Sequence, residues 1–100
     1  MIIDVSNEQN IYTVVLSGRL DTMTSPDLKK ELESVLPAAE KVVFDLTDLE
    51  YISSAGLRVV LSTYQAMDDK DGEFVILHPT EMVLKVFKLT QLDDFLTIEA

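Results

Sequence analysis

The run Lys41-Val42-Val43-Phe44-Asp45-Leu46 constrains the fold more than any other stretch of the chain. Consecutive apolar residues in so short a segment fit a strand buried on both faces, and such strands lie near the centre of parallel sheets. Parallel neighbours need crossovers, and the flanking segments supply helices for them. Upstream, Ser25-Pro26-Asp27 offers a cap, a proline at the first helical position and an early acid. Leu28, Leu32, Val35 and Leu36 follow at helical spacing until Pro37. Downstream, Leu57, Val60, Leu61, Tyr64 and Met67 recur at intervals of three and four, which predicts a second helix ended by Asp68-Asp69-Lys70-Asp71-Gly72. Residues 73–77 read as a strand, Pro79-Thr80-Glu81 opens a third helix carrying Leu84 and Phe87, and residues 95–98 read as a last strand. At the start, residues 2–5 and 11–16 are rich in β-branched and aromatic side chains, and the polar residues 6–10 between them predict a hairpin turn.

The order is therefore β-β-α-β-α-β-α-β, a single-domain α/β sandwich over residues 1–100 whose sheet is mixed but mostly parallel after an N-terminal β-hairpin. No repeat or low-complexity linker interrupts it. The absence of cysteine excludes disulfides, thiolate metal sites and a thiol nucleophile, and a single histidine narrows metal chemistry further. A formal net charge of −10, spread over both halves of the chain, argues against nucleic acid and anionic membranes as partners. No stretch approaches the roughly 18 apolar residues of a membrane span, and Met1-Ile2-Ile3-Asp4 lacks the basic flank of a targeting signal. The expectation is a cytoplasmic protein without metal or cofactor.

Three glycines, at 18, 56 and 72, permit neither a dinucleotide fingerprint nor a P-loop. Functional residues of open α/β sheets gather beyond the carboxyl ends of strands, which directs attention to Leu49-Glu50-Tyr51-Ile52-Ser53-Ser54-Ala55-Gly56. There two hydroxyls meet a helix start. Ser54 is expected as its N-cap, and the small residues Ala55 and Gly56 are expected to leave the first turn open to a group approaching from outside. A phosphate would be tolerated at such a helix start. A hydrolase elbow is incomplete because Ile52 stands where a glycine is required, and His78 is the lone candidate base. Asp45 and Asp48 could suggest a phosphoacceptor pocket, but the chain begins without the acidic pair such a pocket needs. An enzyme is therefore not expected.

Gly18-Arg19-Leu20-Asp21 together with the segment from Asp45 through Ser53-Ser54-Ala55-Gly56-Leu57-Arg58 to Leu61 resembles the STAS domain of bacterial anti-sigma factor antagonists. The likeness runs over nearly the whole chain in element order. It implies a domain that binds an anti-sigma factor with serine kinase activity, frees the sigma factor, and is switched off by phosphorylation of Ser54, with a phosphoserine phosphatase completing the cycle. It also implies a partner-binding surface of Asp21, Thr22, Ser53, Ser54, Ala55, Gly56, Leu57 and Arg58. In the family's commonest pattern an Asp precedes the phosphoserine and a Ser or Thr follows it. Here these are Ser53 and Ala55, which keeps Ser53 as an alternative acceptor. Other STAS domains serve as accessory subunits of lipid-transport ATPases or as scaffold pieces of signalling assemblies, with no phosphorylation required.

Overall fold

The computed structural model describes residues 1–100. Strands β1 (Ile2–Glu8) and β2 (Ile11–Leu20) form the hairpin, α1 (Ser25–Val35) leads to β3 (Lys41–Ile52), and α2 (Ser54–Asp69) leads to β4 (Glu73–Leu77). After α3 (Glu81–Leu89) a single 3-10 turn, Leu92–Asp94, precedes β5 (Thr97–Glu99). The five strands lie in the order β1-β2-β3-β4-β5, with β1 antiparallel to β2 and every later pair parallel. No helix is long and apolar enough to cross a membrane.

Because each crossover moves one strand further in the same direction, the right-handed rule puts all three helices on one face. Burial agrees. Val42, Phe44 and Leu46 of β3, Val14 and Leu16 of β2, and Phe74 and Ile76 of β4 join the buried residues of all three helices in one core. Phe44 and Phe74 meet edge to face with ring centroids 4.8 Å apart. Val43 and Val75, paired across β3 and β4, point to the other face and lie outside that core. The expectation that β3 is buried on both faces holds at Val42, Val43 and Phe44, although helices lie on only one of those faces. One face meets helices, while Val43 is shielded on the other by its neighbours in the sheet.

Three strands run further than the sequence pattern suggests, β2 reaching Leu20 rather than Leu16. β1 continues through Ser6-Asn7-Glu8, and the hairpin closes in two residues, Gln9 and Asn10, both left-handed at φ 53° and 69°. These angles match the twist of the strands they join, and Asn7 Oδ1 accepts from the Asn10 N–H at 3.0 Å. β3 continues to Ile52 because β2 keeps pairing with it through two register shifts, between Val15 and Ser17 and between Gly18 and Arg19. Each shift sets an extra β3 residue against β2 as a bulge. Inward residues accordingly move from a spacing of two (Phe44, Leu46) to a spacing of three (Leu49, Ile52). The last strand is shorter than expected. Phe95 and Leu96 follow the 3-10 turn, and pairing with β4 begins only at Thr97.

Candidate functional site

The long second half of β3 carries the site. Leu20 and Ile52 are register partners at the ends of β2 and β3, so Asp21 and Ser53 emerge side by side. The Ser53 N–H donates to the Leu20 carbonyl at 2.9 Å, fixing the start of α2 against the end of β2.

The α2 cap differs from the sequence expectation by one residue. Ser53 is extended at φ −99° and ψ 177°, and its Oγ accepts from the Gly56 N–H at 3.4 Å, whereas Ser54 is already the first helical residue. Ser53 is therefore the N-cap. Ser54, exposed, presents its hydroxyl to solvent one residue further on. The α1 cap shifts in the same way: Thr24 occupies the cap position, and Ser25 is buried with its Oγ donating to the Asp21 carbonyl at 2.6 Å.

Gly56 also has a different role from the one its size suggests. It is buried, and a Cβ there would meet Leu20 Cγ at 2.8 Å, Ile52 Cγ1 at 2.9 Å and the Leu20 carbonyl oxygen at 3.0 Å. Its smallness lets α2 seat on the strand ends. No group from outside reaches it. Ala55, by contrast, is half-buried beside α1.

Asp21 organises the turn into α1. Its Oδ1 accepts from the N–H groups of Met23 at 3.0 Å and Thr24 at 3.1 Å, while its own N–H donates to Thr24 Oγ1 at 2.9 Å. The single Thr24 hydroxyl proton lies between the Arg19 carbonyl at 2.8 Å and Asp21 Oδ1 at 3.1 Å. The Thr24 N–H, aided by the Thr24 hydroxyl, the Met23 N–H and the Arg19 charge, holds the Asp21 carboxyl below its ordinary value. The Arg19 guanidinium sits 4.2 Å from the Tyr51 ring centroid and 3.9 Å from the Asp21 carboxylate. Arg19 and Tyr51 both lie in the segments that carry the STAS resemblance, but their stacking across β2 and β3 is no part of that motif. Alternation was the available signal, since Leu20 points inward and therefore sends Arg19 and Asp21 outward together.

The remaining acids stand apart. Asp45 pairs in register with Val15 and Leu77, seven residues before Ile52 and roughly 20 Å down the strand, on the face away from the helices. Its carboxyl is held below the ordinary range mainly by the Thr47 hydroxyl, which donates at 2.6 Å. Asp48 pairs with Ser17, nearer the site but still four residues before Ile52. Of the three carboxylates considered at the sequence level, Asp21 alone lies beside Ser53. His78 is exposed at the end of β4, at φ 51°, and its N–H donates to the Glu99 carbonyl at 2.7 Å. No group of three or more His, Cys, Asp or Glu side chains is arranged to hold a metal.

Comparison with known proteins agrees with this architecture. The family model described as the STAS domain matches residues 3–100. The chain belongs to the STAS domain family. Among STAS relatives, the anti-sigma-B factor antagonist of Bacillus subtilis is 26% identical over 98 residues, covering 98% of this chain and 90% of the relative. The corresponding antagonist of Listeria monocytogenes is 28% identical over 88 residues, covering 86% and 76%. In solved structures the STAS fold superposes on an anti-sigma factor antagonist from Mycobacterium paratuberculosis with a TM-score of 0.89 at 24% identity, covering 98% of this chain and 84% of that one. It also superposes on the anti-sigma factor antagonist SpoIIAA in its unphosphorylated form, with a TM-score of 0.86 at 18% identity, covering 99% and 89%. The phosphorylated form of SpoIIAA gives 0.80 at 17% identity, covering 99% and 92%. Sheet order, the single antiparallel pair and three crossover helices are thus the STAS arrangement in this chain.

Proposed function

We propose that this STAS domain is an anti-sigma factor antagonist whose unmodified form binds an anti-sigma factor with serine kinase activity, and that phosphorylation of Ser54 ends the binding. The observation that carries the reading is the division of labour between the two serines. Ser53, beside Asp21 across the β2–β3 end, caps α2 with its Oγ and leaves Ser54 exposed in the first helical turn. The names of the relatives, anti-sigma-B factor antagonists over nearly the whole chain, point to the same partner class. Ser54 is favoured over Ser53 as the acceptor because a kinase needs an accessible hydroxyl, and Ser53 is half-buried.

The switch follows from charge. A phosphate adds about −1.5 to −2 to the surface at the start of α2. The positive end of the helix dipole tolerates that charge, so the domain need not refold. A partner docked over Ser54 would instead have to desolvate it. An unpaired charge buried in an interface typically costs about 2–5 kcal/mol, a loss of roughly 30- to 3,000-fold in affinity. Partner-binding residues on this reading are Asp21, Thr22, Ser53, Ala55, Leu57 and Arg58 around Ser54, with Gly56 seating the helix beneath them. A phosphoserine phosphatase would restore the binding form.

The test is to immobilise wild type, Ser54→Ala and Ser54→Asp proteins in lysate of the source organism and identify retained proteins by mass spectrometry. Retention of an ATP-binding serine kinase by wild type and Ser54→Ala but not by Ser54→Asp is expected. Recovery of transporter subunits, or of one partner by all three baits, would overturn the phospho-switch.

A further inference from the structure

Between α1 and α2 runs a groove of about 590 Å³ that opens beside the Ser54 turn. Leu32 and Val59 are buried in it, and half-buried Leu36 and Ala55 extend the apolar surface toward its two ends. The hydroxyls that reach the groove floor are already engaged: Thr63 Oγ1 donates to the Val59 carbonyl at 2.8 Å and Ser25 Oγ to the Asp21 carbonyl at 2.6 Å. The floor therefore offers an occupant apolar contact and little else.

The walls differ in kind. Lys29 on α1 and Arg58 on α2 face each other across the groove, with Glu33 as the lone acid among the lining residues. Neither cation is spent within the chain, whose two ion pairs are Arg19–Asp21 and Lys41–Glu73. On a chain of net charge −10, two unpaired cations flanking one apolar trough are a local reversal of sign. From Ser25 to the C-cap Leu36 the α1 wall spans about 16 Å, the length of roughly three helical turns.

The geometry points to this groove as the docking site for an acidic amphipathic helix of the partner protein, its apolar stripe on Leu32 and Val59 and its carboxylates on Lys29 and Arg58. Helix-in-groove recognition uses this division of apolar floor and charged rim. Arg58 gives the groove a second property, which rests on the phospho-switch reading above. It lies one helical turn after Ser54, within reach of a phosphate there. A phosphate on Ser54 competes with the partner's carboxylates for the same guanidinium. Modification at the helix start then weakens binding along the groove as well as at the serine itself.

Two 14-residue synthetic helical peptides test the site: one with leucines on one face and glutamates elsewhere, the other with lysines replacing the glutamates. Each is titrated into the 15N-labelled protein. The expected result is saturable shifts at Leu32, Ala55, Arg58 and Val59 with the glutamate peptide, weakened about tenfold in the Lys29→Gln/Arg58→Gln double variant. Both substituted residues are exposed, and an unchanged urea midpoint for the double variant establishes that its fold persists. Preference for the lysine peptide, which the overall charge alone would favour, overturns the proposal, as do shifts mapping elsewhere or none. A monomer–dimer equilibrium in sedimentation that the double variant abolishes overturns it too, by making a second copy the occupant. Ser54→Asp should weaken the glutamate peptide severalfold, and no change would overturn the coupling to Ser54. The titration needs neither kinase nor lysate, so its outcome is independent of the bait experiment.

Discussion

Gly56 and Leu20 are in contact so close that the glycine has no room for a methyl group: an added Cβ would lie 2.8 Å from Leu20 Cγ and 3.0 Å from its carbonyl oxygen. The same carbonyl accepts from the Ser53 N–H. Leu20 thus positions both the cap and the first turn of α2, and through them the exposed Ser54.

Gly56→Ala is expected to destabilise the domain by up to about 2 kcal/mol. Alanine is favoured over glycine within helices by about 1 kcal/mol, but overpacking against backbone and a fully buried leucine typically costs about 1–3 kcal/mol and leaves the helix start displaced. Urea unfolding reads the loss. A gain in stability would show that the first turn can shift freely, contrary to the packing described.

The two adjacent serines should separate cleanly by stability. Ser53→Ala removes the cap of α2 and should cost about 0.5–1 kcal/mol, the low side of the usual range because the bond is long at 3.4 Å. Ser54→Ala should be neutral within about 0.5 kcal/mol, as expected for an exposed position away from such features. Thermal or urea unfolding of the two single variants decides it, and the reverse order would return the cap to Ser54.

The hairpin supplies an independent check on the backbone. Asn10 sits at φ 69° in a two-residue turn with Gln9 at φ 53°. Asn10→Gly should leave stability unchanged or slightly raised. Asn10→Val should lower it by about 1–2 kcal/mol, since a β-branched residue is poorly tolerated in the left-handed region. Equal midpoints for the two variants would contradict this turn.

What the sequence made legible follows from where periodicity survives. The helices were readable because Leu28, Leu32 and Val35, and later Val60 and Met67, keep helical spacing into one core. The second half of β3 was not, because its bulges move inward residues to spacing three and place polar Thr47 and Asp48 in the strand. The end of β1 was hidden for another reason. As an edge strand exposed along most of its length, it tolerates Ser6-Asn7-Glu8, which reads as turn chemistry. At the site, residue type located the Ser53-Ser54 turn but could not choose between two serines as cap. Only the extended backbone at Ser53 makes that choice. The inward demand on Gly56 needed Leu20, distant in sequence and adjacent in space.

Asp21 links the site to pH. The Thr24 N–H, with help from the Thr24 hydroxyl, the Met23 N–H and Arg19, holds its carboxyl below the ordinary 3.8 in the folded protein. In the unfolded chain those donors are gone and the pKa returns to about 3.9. As pH falls, the unfolded state therefore takes up the proton first, and stability declines with it. The contribution of Asp21 is fully present above about pH 5 and is lost as pH drops through the folded pKa. Asp45, depressed chiefly by Thr47, acts in the same sense, so Asp21→Asn should make the acid limb shallower without flattening it. Urea midpoints from pH 2 to 7 should show wild type above Asp21→Asn at neutral pH and the two converging in acid. A carboxyl resonance of Asp21 titrating at or above 3.8 would mean that the turn into α1 does not hold the donors on this carboxylate, and with them the edge of the Ser54 surface.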